Sequence, residues 1–355
     1  MTFYNEKISI AKDRLDNIYI FQSKDRKIIY NYYNNITKDT IEKKITSDAL
    51  EEYDIAIGED GYIYLVYQNN YRDLFLTIIS EEEIDSICLT IEPIPYVYDL
   101  TLILDGEEIH IFYNILLSEK DKKYRLYHHY YDNYNWYTST IDEIKVSKIL
   151  NFFNIEYLED EIAIIYYDFS NVENIYMKKF INGDEKWSDR IKISNNDEEK
   201  LYMDSILVNN VLHLTYSQYI EKNLVIKYER FNIYGDEVIM EKEMVLSNVE
   251  NCSYPTFVYF ENKLWLIWLE YENILSRYSE DGGENWSPIY LWRKSKEVDT
   301  VRYKYCEYLD GKNKKNFNYY FGKIYPEISF IGFGPLENTT EIPLKKKGSN
   351  VIYQF

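Results

Sequence analysis

The sequence repeatedly places an aromatic residue beside, or just before, a small polar residue. The instances are Tyr53 with Asp54, Tyr98 with Asp99, Phe153 with Asn154, Tyr202 with Asp204, and Tyr254 with Thr256. An aromatic ring offers a face for a sugar or an organic cation, and a carboxylate or amide accepts hydrogen bonds from hydroxyl or ammonium groups. The pattern predicts a ligand site, and its candidate residues are Tyr53, Asp54, Tyr98, Asp99, Asn154, Tyr202, Asp204 and Tyr254. The alternative is that each ring packs between sheets while each polar side chain caps a strand start.

Two histidines, His110 and His213, occupy the same position of a sequence repeat. Other repeats place Tyr, Ala, Trp or Asn at that position, and a position that accepts such different side chains is a packing position rather than a metal ligand. The sequence also lacks a glycine-rich phosphate loop and the ordered residues of a catalytic triad. We therefore expect structural histidines, no metal and no cofactor.

A repeated strand pattern must position these residues. An apolar–variable–apolar run recurs seven times, and its first residues are Ile18, Ile63, Ile109, Ile162, Leu212, Leu264 and Phe317. The spacings are 45, 46, 53, 50, 52 and 53 residues, which is the length of a four-stranded propeller blade with its loops. We expect all seven residues to be buried at equivalent positions in seven separate sheets.

The rest of the chain alternates apolar and polar residues with a period of two, and no long stretch has the helical period of 3.6. The sequence therefore predicts an all-β fold, a single seven-bladed β-propeller of four-stranded antiparallel blades that forms one domain over residues 1–355. The approximate blades are 6–46, 53–91, 98–141, 153–194, 202–246, 254–292 and 302–355.

One turn carries a recognisable motif. Ser279, Asp281, Gly283 and Trp286 stand in the order S-x-D-x-G-x-x-W between two apolar runs. This arrangement resembles the Asp-box of the bacterial neuraminidase repeat, found in the propellers of sialidases and their non-catalytic relatives. The resemblance implies a structural corner between the third and fourth strands of a blade. We expect Asp281 to accept hydrogen bonds within its own turn, and Trp286 to be mostly buried against its own blade.

Sialidase chemistry would need further residues. The family gathers three arginines on the substrate carboxylate, the first of them in an Arg-Ile-Pro segment, and uses a Tyr–Glu nucleophile pair with an Asp acid/base. The corresponding segment here reads Glu6-Lys7-Ile8-Ser9-Ile10. We therefore predict a non-catalytic scaffold that binds a glycan or a protein partner at one mouth of the central channel. The alternatives are a glycoside hydrolase or lyase of this fold, and a structural component of a surface or spore layer or a phage-type particle.

The charge balance narrows the choice of partners. Forty basic and sixty acidic residues give a net charge of −20, which repels phosphate backbones and anionic lipid surfaces. We expect neither nucleic acid nor a membrane as partner, and we expect the channel mouth to exclude anionic sugars. The N-terminal segment has no apolar secretory core, and three scattered cysteines are typical of buried, reduced thiols. These features predict a cytoplasmic protein.

Overall fold

Alternating apolar and polar residues form β-strands throughout the part of the chain that the structure describes. The structure is a computed structural model that describes residues 7–80, 83–146, 152–158, 161–169, 173–181, 186–194, 198–235, 237–308, 317–325 and 327–345, with the side chains of 317 and 318 left out. The all-β prediction is confirmed, because only short 3-10 turns interrupt the strands in these residues.

The first three repeats contribute twelve strands. Those of the first are β1 (Ile8–Lys12), β2 (Ile18–Lys24), β3 (Lys27–Tyr33) and β4 (Thr40–Thr46). Those of the second are β5 (Ala49–Ile57), β6 (Ile63–Asn69), β7 (Leu74–Ile79) and β8 (Ile84–Cys88). Those of the third are β9 (Val97–Asp105), β10 (Glu108–Ser118), β11 (Lys123–Tyr131) and β12 (Trp136–Lys145).

The later repeats follow the same plan. The fourth has β13 (Phe153–Leu158), β14 (Glu161–Phe169), β15 (Glu173–Ile181), β16 (Lys186–Trp187) and β17 (Ile191–Lys192). The fifth has β18 (Lys200–Val208), β19 (Val211–Ile220), β20 (Asn223–Tyr234) and β21 (Glu237–Val245). The last two have β22 (Cys252–Phe260), β23 (Lys263–Glu270), β24 (Asn273–Ser279), β25 (Ile289–Trp292), β26 (Val301–Glu307), β27 (Phe317–Lys323), β28 (Ser329–Ile331) and β29 (Thr339–Ile342).

The chain divides into two compact units. The larger unit contains Phe3–Lys192 and Arg302–Tyr320, and the smaller unit contains Met1–Thr2, Ile193–Val301 and Phe321–Phe355. Within the larger unit the second, third and fourth repeats each form one antiparallel sheet, and within the smaller unit the fifth and sixth repeats do the same. The tail strand β29 extends the sixth sheet by pairing with β25.

The first and last repeats depart from the predicted arrangement. They share one sheet with the strand order β28-β27-β26-β1-β2-β3-β4, in which β26 pairs in parallel with β1 and Lys304 lies opposite Ser9. The prediction of seven separate, purely antiparallel sheets is therefore wrong here, because Ile18 and Phe317 lie in the same sheet. The parallel ladder satisfies backbone groups of β1 that would otherwise form an open sheet edge.

Side-chain burial follows the predicted pattern with two corrections. Five of the seven residues that begin the apolar runs are buried, namely Ile63, Ile109, Ile162, Leu212 and Leu264. Ile18 is only half-buried, and the side chain of Phe317 lies outside the described residues. Cys252 and Cys306 are buried as expected, but Cys88 is exposed because it ends the outer strand β8, whose side chains all face solvent.

The turn from Ser279 to Trp286 in the smaller unit has the predicted internal hydrogen bonds. Asp281 Oδ1 accepts the backbone N–H of Asn285 at 2.8 Å and the hydroxyl of Ser279 at 2.8 Å. The Ser279 hydroxyl oxygen accepts the N–H of Gly283 at 2.8 Å. Hydrogen bonds led by the Asn285 N–H lower the pKa of Asp281 to about 2, so the carboxylate stays charged in its turn.

The packing of the turn differs from the prediction. Trp286 is half-buried, and its ring meets Tyr228 of β20 edge-on at 5.0 Å, so it packs against the neighbouring sheet rather than only its own. The turn reaches that sheet because Gly283 lies directly against Tyr228. A Cβ on Gly283 would stand 1.8 Å from the Tyr228 hydroxyl oxygen, and the backbone there has a φ of +85°. Gly283 is therefore required both by its conformation and by lack of space.

Two adjacent glycines allow these requirements to be separated. Gly282 also has a positive φ (+66°), but nothing lies within 4 Å of the place where its Cβ would be. We expect Gly282→Ala to cost about 1 kcal/mol, the strain of a left-handed alanine. Gly283→Ala should cost roughly 3 kcal/mol or more, because Tyr228 must move and lose its hydrogen bond to His213. Equilibrium urea unfolding measures both values, and equal costs would contradict the crowding.

Candidate functional site

Strand register shows which of the predicted site residues are equivalent. Each of the small polar residues lies opposite the fourth residue of its neighbouring second-strand run: Asp54 opposite Val66, Thr101 opposite Phe112, Asn154 opposite Ile165, Asp204 opposite Thr215 and Thr256 opposite Ile267. The aromatic partners do not share one position. Tyr53 comes directly before this site, whereas Tyr202 and Tyr254 come two residues before it.

A β-bulge explains why the aromatic residues stand at different distances from the small polar residue. The register between first and second strands shifts just before the small polar residue in the second, third, fifth and sixth repeats. Asp99, Tyr202 and Tyr254 have positive φ angles of 54°, 56° and 51° at this bulge. Asp99 is therefore the counterpart of Tyr202 and Tyr254, and not of Asp54. The sequence pattern treats Tyr98–Asp99 as equivalent to Tyr53–Asp54, but the bulge places Asp99 at a different position of its strand.

The small polar position has a structural role in both units. Asp54 Oδ2 accepts the N–H of Leu102 at 2.7 Å, and Asp204 Oδ2 accepts the N–H of Phe257 at 2.7 Å. Leu102 and Phe257 directly follow the equivalent residue of the next repeat. Each carboxylate thus ties its own sheet to the next one, as the capping interpretation predicts.

Asp54 also holds a buried cation. Lys304 Nζ lies 2.6 Å from Asp54 Oδ2 and donates to the carbonyl of Ile55 at 3.1 Å. Both charged side chains are about 95% buried, with 5% and 4% exposed. Asp54 is therefore a structural residue of the larger unit.

Tyr53 is likewise a packing residue. Its ring is fully buried, and its hydroxyl donates to the carbonyls of Lys7 at 2.8 Å and of Phe21 at 3.0 Å. Tyr98 is half-buried, with its ring edge-on to Tyr124 at 5.8 Å.

A second set of polar residues surrounds these anchors. We call Lys7, Glu52, Asp99, Arg302 and Tyr319 the inner-strand cluster; all five belong to the larger unit. Lys7 Nζ pairs with Glu52 Oε2 at 2.8 Å, and the Arg302 guanidinium stacks on the Tyr319 ring at 3.9 Å from its centroid. The charges of Lys7, Arg302 and Asp99 act on the Tyr319 hydroxyl, as does that of the neighbouring Asp54. Glu52 and Lys7 in turn act on Asp99, so the five side chains form one electrostatic site.

The cluster is deep but reachable by solvent. Burial raises the pKa of Tyr319, yet its side chain keeps 36% of its surface exposed. Lys7 and Glu52 each keep 29% of their side-chain surface. Groups that are desolvated by surrounding protein and still accessible are typical of a recess that admits a ligand.

Asp99 has an unusual protonation equilibrium for an aspartate. Burial raises its pKa to about 6, and the charge of Glu52 acts in the same direction. The Phe152 N–H, which donates to Asp99 at 2.9 Å, and the charge of Lys7 both act to lower the pKa. Asp99 therefore changes charge near neutral pH. Tyr319 keeps its proton in that range because its pKa is raised.

Of the remaining predicted residues, Asn154 lies half-buried on β13 in the larger unit, and Tyr202, Asp204 and Tyr254 belong to the smaller unit. The rings of Tyr202 and Tyr254 lie 4.3 Å apart at 41°, and both are half-buried. Burial, together with Tyr254, raises the pKa of Tyr202 to about 12. The two rings form an aromatic platform beside the anchoring carboxylate of Asp204.

Sequence reasoning missed four of the five cluster residues. Glu52 and Arg302 each stand two positions before an anchoring residue, Asp54 and Lys304. A period of two places Arg302 on the same strand face as Lys304, whereas Glu52 lies where the register of β5 shifts, so the same argument does not apply to it. For Arg302, this two-residue spacing was the available sequence signal. Lys7 and Tyr319 gave none, because their contribution depends on β1 and β27 lying in one sheet.

The histidines pack inside the sheets as expected. His110 Nδ1 and His128 Nε2 lie 2.9 Å apart in the buried part of the third sheet, and His213 Nδ1 lies 2.8 Å from the Tyr228 hydroxyl. In the part of the chain that the structure describes, no group of three or more His, Cys, Asp or Glu residues could hold a metal ion. The same residues include no helix with the length and apolarity needed to cross a bilayer.

Comparison with known proteins finds a likeness at the level of the fold. No protein-family model matches the sequence, and no curated protein sequence matches it. Among solved structures, a PL25 ulvan lyase bound to -[GlcA(1-4)Rha3S]- is similar with a TM-score of 0.56 and 11% identity, over 88% of this chain and 90% of that chain. A second structure of a PL25 ulvan lyase has a TM-score of 0.55 and 10% identity, over 89% and 94%. The polysaccharide lyase Uly1 has a TM-score of 0.50 and 10% identity, over 90% and 90%.

These likenesses show a shared sheet-rich fold. The neighbours are polysaccharide lyases, whereas the sequence resemblance pointed to the sialidase-like superfamily, which no family model supports.

The protonation of Asp99 is open to direct test. We expect its pKa, followed by carboxyl NMR, to lie near 6, with the signal identified by its loss in Asp99→Asn. Lys7→Met should raise this pKa, because a nearby positive charge is removed, and Glu52→Gln should lower it. Shifts in the same direction for the two variants would contradict the cluster geometry.

Proposed function

We propose that the protein is a polysaccharide lyase that cleaves a uronic-acid-containing chain at the inner-strand cluster. The observation that carries the proposal is the combination, in one solvent-accessible site, of a carboxylate that titrates near neutral pH, a protonated phenol and two cations. The similarity of the fold to polysaccharide lyases supports this reaction class over others. Fold alone does not determine function, so the assignment of the reaction depends on the residues of the inner-strand cluster.

The cluster supplies each group that β-elimination needs. The reaction removes the proton on the carbon next to the uronate carboxyl group, forms a carbon–carbon double bond and breaks the bond to the glycosidic oxygen, which takes up a proton. In our proposal Asp99 accepts the carbon-bound proton and Tyr319 donates a proton to the leaving oxygen. A base is most effective when its pKa lies near the working pH, and an acid must keep its proton there.

The cations make the proton acidic enough to remove. Negative charge develops on the uronate carboxyl group as the proton leaves, and a nearby cation stabilises that charge. Arg302 is the preferred binding group because its planar guanidinium presents a fork of N–H donors to a carboxylate. Its stacking on Tyr319 holds it beside the proposed acid.

The proposed substrate is acidic, whereas the sequence led us to expect that anionic sugars are excluded. That expectation used the net charge of −20 and took no account of Lys7, Arg302 and Lys304. With Asp54, Glu52 and Asp99 these residues give three cations and three carboxylates, so the formal charge around the site is zero rather than strongly negative. The distant surface charge is largely screened at the site, because the Debye length is only about 8 Å at physiological ionic strength.

The test is depolymerisation of a panel of uronic-acid polysaccharides, followed by the ultraviolet absorbance of the unsaturated product. The rate should rise with pH as Asp99 loses its proton near pH 6. Asp99→Asn and Tyr319→Phe should each lower kcat by about 100-fold or more, the usual contribution of a general base or acid. Tyr98→Phe is the control, because this half-buried tyrosine contacts Tyr124. Full activity in both cluster variants would contradict the assigned roles.

A non-catalytic glycan-binding protein is the second candidate. It is favoured by the Lys7–Glu52 ion pair, which partly neutralises the site, and by the Tyr202–Tyr254 platform, on which a sugar ring could stack. Calorimetric titration with the same polysaccharides separates the two candidates. Binding that Arg302→Gln or Tyr202→Ala weakens, without any unsaturated product, would favour the binding protein.

We further propose that the repeats are arranged as propeller blades, with the first and last repeats completing a common sheet. The regular repeat spacing supports this arrangement, as do the two carboxylates that link the second sheet to the third and the fifth sheet to the sixth.

A further inference from the structure

A groove separate from the cluster lies between the second and third sheets of the larger unit. It encloses about 750 Å³, the size of a site for a small organic molecule. Its floor is aliphatic and is formed by Leu76, Ile78, Ile87, Leu104 and Ile109. Ile87 is 50% exposed, so the floor is open to solvent.

Aromatic rings form the walls of the groove. Tyr64, Tyr131 and Trp136 line it, and all three are half-buried. Trp136 is supported from behind by His129, whose ring stacks on it at 4.8 Å and 12°. Burial lowers the pKa of His129 to about 4, so this support is neutral at pH 7 and adds no positive charge.

The rim of the groove is acidic. Glu59, Asp60 and Glu107 line it, and no lysine, arginine or histidine is among its described lining residues. Asp60 is held in place by the Tyr64 hydroxyl, which donates to its Oδ2 at 2.7 Å. Glu59 and Glu107 are exposed at the edge.

Gly58 makes this arrangement possible. A Cβ there would stand 2.4 Å from Asp60 Oδ1 and 2.9 Å from Tyr64 Cε2. The backbone of Gly58 is not in the left-handed region, so the glycine is required by space rather than by conformation. Its absent side chain lets the Asp60–Tyr64 pair lie close against the strand end.

The neighbouring groove between the first and second sheets provides an internal comparison. It has a similar volume of about 780 Å³ and shares Asp60, but its lining includes Arg14. Its Tyr19 is buried, and the Tyr19 hydroxyl donates to Asp13. An exposed Tyr62 also lines this second groove. The groove next to Trp136 therefore differs by its three half-buried aromatic residues and by the absence of a cation among its described lining residues.

We infer that the groove lined by Trp136, Tyr131, Tyr64, Glu59, Asp60 and Glu107 binds an organic cation with an apolar body, such as an aryl- or alkylammonium group. Aromatic faces attract a cation through their quadrupole, and the attraction is stronger when the cation is partly desolvated. The aliphatic floor receives the apolar body, and the acidic rim complements the charge. A neutral sugar would leave its hydroxyl groups against the aliphatic floor without hydrogen-bond partners.

The experiment is calorimetric titration of the full chain with benzyltrimethylammonium chloride, with benzyl alcohol and cellotetraose as neutral probes. We expect saturable binding of one cation per chain and no binding of either neutral probe at this groove. Trp136→Ala should weaken binding about tenfold, and Glu107→Gln about threefold. Glu83→Gln, which removes a carboxylate from the neighbouring groove, should leave the affinity unchanged.

Two further variants distinguish a loss of binding from a loss of folding. Trp136→Tyr keeps an aromatic face and should retain most of the affinity, and Glu107 is exposed, so its substitution leaves the core intact. The inference is overturned if the cation shows no saturable binding. It is equally overturned if Glu83→Gln weakens binding as much as Glu107→Gln does, or if cellotetraose binds and Trp136→Ala abolishes that binding.

Discussion

The buried ion pair between Asp54 and Lys304 is the contact on which the larger unit depends. It joins residues that are 250 positions apart, and both charges are removed from water. Such a pair is tolerated only when further hydrogen bonds satisfy the charged atoms, and here the Leu102 N–H and the Ile55 carbonyl do so. Removing one partner would strand the other charge in the interior, at a cost of roughly 3–5 kcal/mol.

The same pair positions the proposed active site. Arg302 precedes Lys304 by two residues, so the strand period carries it to the face that the ion pair defines. Glu52 reaches the site from the register shift just before Asp54, where it pairs with Lys7. The parallel pairing of β26 with β1 then brings Lys7, at the start of β1, to the same site. A structural contact and a functional cluster thus use alternate residues of the same two strands.

Much of the fold could be predicted from the sequence because it depends on local patterns. Alternation predicted the strands, the repeat spacing predicted most of the buried second-strand residues, and the turn motif predicted the hydrogen bonds of Asp281. The shared sheet of the first and last repeats could not be predicted, because no local pattern specifies which distant edge β1 pairs with. The role of Asp99 was hidden by a bulge that places it two positions before Thr101, the equivalent of Asp54. Equivalent residues of different repeats can be recognised from the sequence only where no bulge shifts the strand register.

The most direct test of the account is a crystal structure of the protein soaked with a uronic-acid tetrasaccharide, using the Asp99→Asn variant to prevent turnover. The account predicts a uronate carboxyl group within hydrogen-bond distance of Arg302, with a glycosidic oxygen next to the Tyr319 hydroxyl. A saccharide bound elsewhere on the protein, with the inner-strand cluster unchanged, would contradict it.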